Sequence, residues 1–147
     1  MIRKMDMSDI RFVYDLEREV FGKSLEKQML TDEILYNDLA RYFILENDGK
    51  RLAYAGIWIT KPNAEIINIA VLSEHQSQGY GQALMEKIIE FCQAKQVENL
   101  TLEVSEAKQD VIRFYEMFGF EKQAVRANYY EDGTDALLMV KPIGGQQ

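Results

Sequence analysis

Residues 64–92, AEIINIAVLSEHQSQGYGQALMEKIIEFC, switch apolar period partway along, and the switch falls on a glycine-bearing turn. The first part alternates: Ile67, Ile69 and Val71 share one face while Ile66, Asn68 and Ala70 take the other. That period of two, rich in β-branched residues, predicts a buried strand. The last part carries Leu84, Ile88 and Phe91, flanked by Met85, Ile89 and Cys92, a broad apolar stripe at helical spacing. Between them, Gln76-Ser77-Gln78-Gly79-Tyr80-Gly81 has to carry the chain from strand end to helix start. Such an order points to an α/β fold. It also offers a place for an anion, because the first amides of a helix lack intrahelical partners and the macrodipole puts partial positive charge there. Gly79 and Gly81 leave no Cβ in the way of a phosphate, although strand-to-helix turns also use glycine for steric reasons alone.

Two commoner phosphate motifs do not fit. A Gly-x-Gly-x-x-Gly dinucleotide fingerprint would need its third glycine where Leu84 stands, and no Gly-Lys-Ser/Thr follows the turn as a P-loop requires. The rest of the chain surrounds this unit with short elements. Residues 2–5 read as a first strand. Ser8 and Asp9 offer an N-cap to a helix carrying Ile10, Val13, Tyr14, Val20 and Phe21, which Gly22 ends. Ser24 is expected to cap a second helix bearing Leu25, Met29, Leu30, Ile34 and Leu35. Residues 41–46 and 51–60 flank Asn47-Asp48-Gly49-Lys50, and Asp-Gly between apolar runs predicts a hairpin. Pro62-Asn63 turns the chain into the central strand. Residues 100–104 form the next strand after the glycine-turn helix, and a strand–helix–strand crossover predicts that these two run parallel. Val111, Phe114, Tyr115 and Phe118 repeat at helical spacing up to Gly119; residues 120–126 and 135–141 close the chain as a strand pair around the loop ANYYEDGT.

With 147 residues there is room for one core, read as a single domain over residues 1–143 with a disordered tail at 144–147. A net charge of −7 argues against general affinity for nucleic acid or an anionic membrane and suits a basic protein or peptide partner. One cysteine, Cys92, excludes an internal disulfide and fits a reducing compartment, and its place in an apolar stripe suits a buried small hydrophobe. Neither it nor the single histidine, His75, belongs to a metal-ligand cluster, so no metal is expected. The opening MIRKMDMSDI lacks the apolar core of a signal peptide, and no apolar run approaches the roughly 20 residues that span a bilayer. A cytoplasmic location is the expectation.

Gln76-x-x-Gly79-x-Gly81, with its strand before and amphipathic helix after, resembles the acetyl-CoA pyrophosphate motif of the GNAT superfamily of N-acetyltransferases. Within that superfamily the chain is similar to the bacterial ribosomal-protein-alanine N-acetyltransferases. The matching blocks are Asn68-Ile69-Ala70-Val71, the turn itself, Thr101-Leu102-Glu103-Val104, Phe114-Tyr115-Glu116 with Phe118-Gly119-Phe120, and Arg126-x-Asn128-Tyr129-Tyr130 leading to Asp135-Ala136-Leu137. The last block points to this family, whereas the others recur across the superfamily. The resemblance implies an acyltransferase fold: a mixed α/β sheet of about six to seven strands, helices on both faces, and central parallel strands that splay apart. It implies acetyl-CoA as co-substrate. Ile69, Ala70 and Val71 would offer backbone groups to the pantetheine arm, and the turn (Gln76, Ser77, Gln78, Gly79, Tyr80, Gly81 and Gln82) would hold the pyrophosphate. Glu103 falls where the family places its general base and Tyr115 where it places its general acid. Tyr129 and Tyr130 would line the acceptor groove, and the acceptor would be the N-terminal alanine of a small-subunit ribosomal protein.

The residues themselves leave alternatives beside these roles. Glu103 alternates with Leu100, Leu102 and Val104 and so points away from their apolar face, toward the strand edge where α/β sheets bind ligands. The other reading is a solvated carboxylate or one paired with a surface lysine. Tyr115 lies on an apolar stripe, where tyrosine is usually core, and Tyr129–Tyr130 could simply pack a hairpin. Two blocks depart from the family pattern: Phe21-Gly22-Lys23-Ser24 replaces Phe-Pro-Trp-Ser, and Ser105-Glu106-Ala107-Lys108 replaces Arg-x-Ser-Asn. A lysine or small-amine acetyltransferase is therefore the alternative enzyme, and a non-catalytic CoA-binding module the alternative of another class.

Overall fold

The computed structural model describes residues 1–144. Its strands are β1 (Ile2–Lys4), β2 (Ala40–Asn47), β3 (Lys50–Thr60), β4 (Asn63–Val71), β5 (Asn99–Ser105), β6 (Glu121–Arg126) and β7 (Ala136–Pro142). The helices are α1 (Ile10–Phe21), α2 (Lys27–Tyr36), α3 (Tyr80–Ala94) and α4 (Gln109–Met117). The strands make one seven-stranded sheet in the order β1-β2-β3-β4-β5-β7-β6, so the last strand of the chain inserts beside β5 and leaves β6 at the edge. The expected mixed sheet, with helices on both faces, is what forms. Asp48 and Gly49 both take left-handed backbone, at φ 53° and 75°, which is the primed turn that matches the twist of a two-residue hairpin.

Each face has its own core. Under α3 and α4 lie Ala53, Ala55, Ile57, Ala64, Ile66, Leu84, Met85, Ile88, Leu100, Leu102 and Val104. Under α1 and α2 lie Val13, Leu16, Leu30, Ile44, Tyr54 and Ala70. Shortening one of the large buried aliphatic chains to alanine costs about 2–5 kcal/mol in sites of this kind.

Strict alternation does not survive along β4. Ile57 pairs with Ile66 and Gly56 with Asn68, so Ile67 is an extra residue, a β-bulge. Past it the faces exchange: Ile66 packs in the same core as Ile69 and Val71, and Asn68 and Ala70 turn to the α1 side. The sequence pattern, read without the bulge, puts Ile66 with Asn68 and Ala70. Opposite the bulge stands Gly56, where a Cβ would lie 2.5 Å from the Tyr42 ring, itself stacked on Tyr54.

β4 and β5 run parallel, as the crossover requires, but pair only through Asn63–Asn99, Ala64–Leu100 and Glu65–Thr101. Beyond that register β4 continues to Val71 on β3 and β5 to Ser105 on β7. The sheet thus opens between their carboxyl ends.

Two helix starts differ from expectation. Asp6, not Ser8 or Asp9, caps the first turn through a capping box with Asp9, and α1 follows that turn. Asp9 is fully buried instead, accepting from Arg3 at 2.8 Å and Arg51 at 2.7 Å. The second helix begins at Lys27, after Glu26, because the Ser24 hydroxyl is spent on Glu17. At the other terminus the Gly144 amide donates to the Glu98 carbonyl, and the rest of the expected tail, 145–147, lies outside the described residues. No described helix is long and apolar enough to cross a membrane.

Candidate active site

The glycine turn sits at the mouth of the opened sheet. Val71 ends β4, and Gln76 ties the turn back to it by donating from Nε2 to the Val71 carbonyl at 3.3 Å. Ser77 and Gly79 adopt left-handed backbone, at φ 65° and 86°, and α3 begins at Tyr80. The first backbone bond of the helix is Ala83 N–H to the Gly79 carbonyl; among the described residues, the amides of Ser77, Gln78, Gly79, Tyr80, Gly81 and Gln82 have no backbone acceptor. Amides displayed by a turn with alternating hand ahead of a helix form a concave anion nest. The two glycines serve different purposes. Nothing lies within 4 Å of a Cβ at Gly79, whose need is conformational. At Gly81 a Cβ would point inward, 3.6 Å from the Phe114 ring and 3.9 Å from Val71, so this glycine faces the sheet opening rather than the amide nest.

On the α1–α2 side of the opening lies a group of polar side chains. Glu103, on β5 between buried Leu102 and Val104, has its Oε2 3.3 Å from Arg126 Nε at the end of β6, but that oxygen has no hydrogen-bond partner among the described residues. Arg126 also lies over the Tyr129 ring, its guanidinium carbon 5.3 Å from the centroid, and Tyr129 meets Tyr130 edge to face at 5.1 Å. Burial, then the charge on Glu103, raises the Tyr130 phenol above its ordinary value. Tyr129 and Tyr130, expected to line a groove with hairpin packing as the alternative, stand against each other as a half-open aromatic pair near Glu103. The loop is held by its own bonds: Asn128 N–H to Asp135, Thr134 N–H to Asp132, and Thr134 with Ser105 of β5.

Tyr115 approaches from the other face. It lies in the α3–α4 core against Phe114 and Phe120, and burial pushes its phenol up to about 12. The structure does bring Glu103, Tyr129 and Tyr130 together, and it sets Tyr115 across the sheet from them. The inward side of Gly81 faces both Val71 and Phe114, the latter beside Tyr115 on α4.

Sequence reasoning missed three features here. Glu65 of β4 is the first, with its carboxyl raised by burial and by Glu103 and lowered by Arg126. Its side of the strand could be read only once the bulge and the register were known. Buried Glu17 of α1 is the second: it accepts from Ser24, from the Tyr54 hydroxyl in a short bond, and from Asn68 beside the bulge at 3.3 Å. The third joins both departures from the family pattern, because Lys108 lies over the Phe21 ring at 5.7 Å.

The mixed sheet thus opens between two parallel strands, with an amide-lined turn at its mouth that suits a phosphate-bearing ligand and with Glu103 and Tyr115 on opposite faces. The comparisons agree. A model of the acetyltransferase (GNAT) family matches residues 10–120. A candidate [ribosomal protein bS18]-alanine N-acetyltransferase of Bacillus subtilis (strain 168) is 37% identical over 139 residues, spanning 94% of this chain and 92% of its own. The [ribosomal protein bS18]-alanine N-acetyltransferase of Escherichia coli (strain K12) is 32% identical over 97% of both chains. The crystal structure of the ribosomal-protein-S18-alanine N-acetyltransferase from Escherichia coli superimposes with a TM-score of 0.90 at 29% identity, covering 100% of this chain and 96% of that one. The chain belongs to the acetyltransferase (GNAT) family and is an N-acetyltransferase, of a family whose members use acetyl-CoA as co-substrate.

Proposed function

We propose that this enzyme acetylates the α-amine of a protein N-terminus, that of a small-subunit ribosomal protein beginning with alanine, by direct transfer from acetyl-CoA. The observation that carries this reading is Glu103, a carboxylate at the open end of β5 with one oxygen that finds no hydrogen-bond partner among the described residues, near two tyrosines. The names of the full-length relatives support the choice of acceptor.

The amides of residues 77–82 fit a pyrophosphate, and the unpaired edge of β4 at Ile69, Ala70 and Val71 fits an amide-bearing pantetheine arm. Acetyl-CoA supplies an acyl carbon activated as a thioester. Glu103 takes a proton from the acceptor's ammonium, directly or through one water, and leaves the neutral nitrogen free to bond to the acyl carbon. The carbon–sulfur bond breaks, Tyr115 gives its phenolic proton to the departing sulfur, and the second proton that the nitrogen sheds on becoming an amide passes through water to restore the phenol, while Glu103 returns its own proton to solvent. With a pKa of about 12 that phenol is protonated throughout the neutral range. An α-amine titrates near 7.7–8.0 and a lysine near 10.4, so at neutral pH one carboxylate has about one unit to make up for the first and more than three for the second, which favours the α-amine.

The test is mass spectrometry of peptides differing only in a first residue of Ala, Ser or Gly, beside one with a blocked N-terminus and a free lysine. The α-amine of the Ala peptide is expected to gain one acetyl group, with its lysines unmodified. Preferential modification of the blocked, lysine-bearing peptide would replace this reading with the lysine one.

A further inference from the structure

Glu65 is a carboxylate that the mechanism above does not use. It alternates along β4 with Ala64 and Ile66, both buried under α3, so its side chain projects on the opposite face. Glu103 alternates in the same way with Leu102 and Val104, and projects on that same face. Glu65 sits opposite Thr101 in the last register pair before the strands part, which places Glu103 one same-face step further along the neighbouring strand. The two carboxylates therefore flank the root of the opening, one from each wall. Their coupling is physical: burial and then the charge of Glu103 raise the Glu65 carboxyl, and Arg126 opposes them. No hydrogen bond or ion pair ties Glu65 down among the described residues. Trp58, its partner on β3, donates its indole N–H to Glu33 instead.

One cation already lies against this pair. Arg126 reaches Glu103 at 3.3 Å, without a hydrogen bond to the buried oxygen, and its side chain is 63% exposed. A pair so open to water holds weakly. The Arg126 guanidinium can withdraw toward Tyr129, over whose ring it already lies.

We propose that Glu65 is an acceptor-binding residue: with Glu103 it holds the incoming ammonium between two carboxylates, and Arg126 is the cation that the acceptor displaces. This rests on the α-amine reading given above. It adds that binding and proton removal are divided, Glu65 contributing charge for capture and Glu103 contributing both charge and the base. An ammonium held by two carboxylates loses about tenfold in affinity when one charge is removed, a typical size for a partly buried charged contact.

The experiment is steady-state kinetics of the wild type, Glu65→Gln and Glu65→Asp with an Ala-first peptide and with the blocked, lysine-bearing peptide, alongside calorimetry of acetyl-CoA binding. Glu65→Gln is expected to raise the acceptor KM about tenfold, with kcat changed less than about threefold and acetyl-CoA affinity unchanged; Glu65→Asp should recover most of the loss. The same pair of measurements in an Arg126→Gln background separates capture from support. A KM rise that persists there assigns the effect to the acceptor, and one that vanishes overturns the proposal by making Glu65 a tether for Arg126. An unchanged KM in Glu65→Gln overturns it while leaving the α-amine reading intact. If the wild type modifies only the lysine peptide, the α-amine reading fails alone, and the KM for that peptide decides the role of Glu65. No turnover of either peptide by the wild type overturns both.

Discussion

The roles proposed for Glu103 as base and Tyr115 as acid predict how their variants should behave. Glu103→Gln and Tyr115→Phe are each expected to lower kcat by about 10²–10⁴ with little change in acetyl-CoA affinity, the usual worth of a general base or acid. Raising the pH should partly rescue Glu103→Gln, because more of the acceptor then arrives neutral. It should not rescue Tyr115→Phe. In the wild type, loss of the Tyr115 proton sets in only toward about 12, so the rate should climb through the titration of the α-amine and show no fall from this group below pH 10. A decline near pH 9 that Tyr115→Phe abolishes would contradict the assignment. The turn glycines give a paired prediction. Gly79→Ala forces a left-handed backbone on a residue with a Cβ, at about 1 kcal/mol, and disturbs the amide nest, whereas Gly81→Ala meets Phe114 only at ordinary contact distance. Calorimetry should show acetyl-CoA affinity falling markedly more for Gly79→Ala than for Gly81→Ala.

The elements themselves were largely readable from the chain. The Asp48-Gly49 turn, the period change at residues 76–81 and the left-handed Gly22 and Gly119 are local signals, and each acts where it is written. What stayed hidden depends on partners distant in the chain. The bulge at Ile67 has no local mark, since it arises from registering β4 against β3, and with it the faces of Ile66 and Glu65 could not be read. Ser24 looked like a cap because its competing partner Glu17, on the preceding helix, cannot be seen from spacing. Glu103 and Tyr115 could be picked out by their motif blocks, but Arg126 on Glu103 requires knowing that β7 inserts between β5 and β6. The bulge also leaves a testable trace in its neighbour. At Gly56 an added Cβ would overlap the Tyr42 ring, whose hydroxyl reaches Glu33 and whose face lies on Tyr54. Gly56→Ala should therefore cost about 1–3 kcal/mol and lower Tm in a thermal melt; an unchanged Tm would mean that the stack can shift freely.

Taken as a whole, the molecule holds several ionisable groups in their neutral forms. Burial is the first cause of raised values at Tyr42, Tyr54 and Tyr115, the last at about 12, and at Cys92, at about 11. In the unfolded chain these groups ionise at about 8.5–10, so their contribution is complete below that range and drains away as pH rises toward 11 and 12. Tm should fall progressively from pH 9 upward. Asp9 works in the opposite direction: burial alone would raise it, but Arg3, the Asp6 amide and Arg51 hold it below the ordinary carboxylate range, so its contribution is present above about pH 4 and lost on acidification. The parting of β4 from β5 has a different consequence. Only three register pairs join the β1–β4 side of the sheet to β5, β7 and β6, so this seam is where the backbone should breathe most easily. In the binding mode proposed above, acetyl-CoA would lie in that seam and act as a clasp. Amides on the open edge of residues 66–71 should exchange with deuterium quickly in the free enzyme and slowly once it is bound. At a hundredfold excess over Kd the clasp is worth about 2.7 kcal/mol, so how long this enzyme survives a protease would follow the acetyl-CoA supply around it.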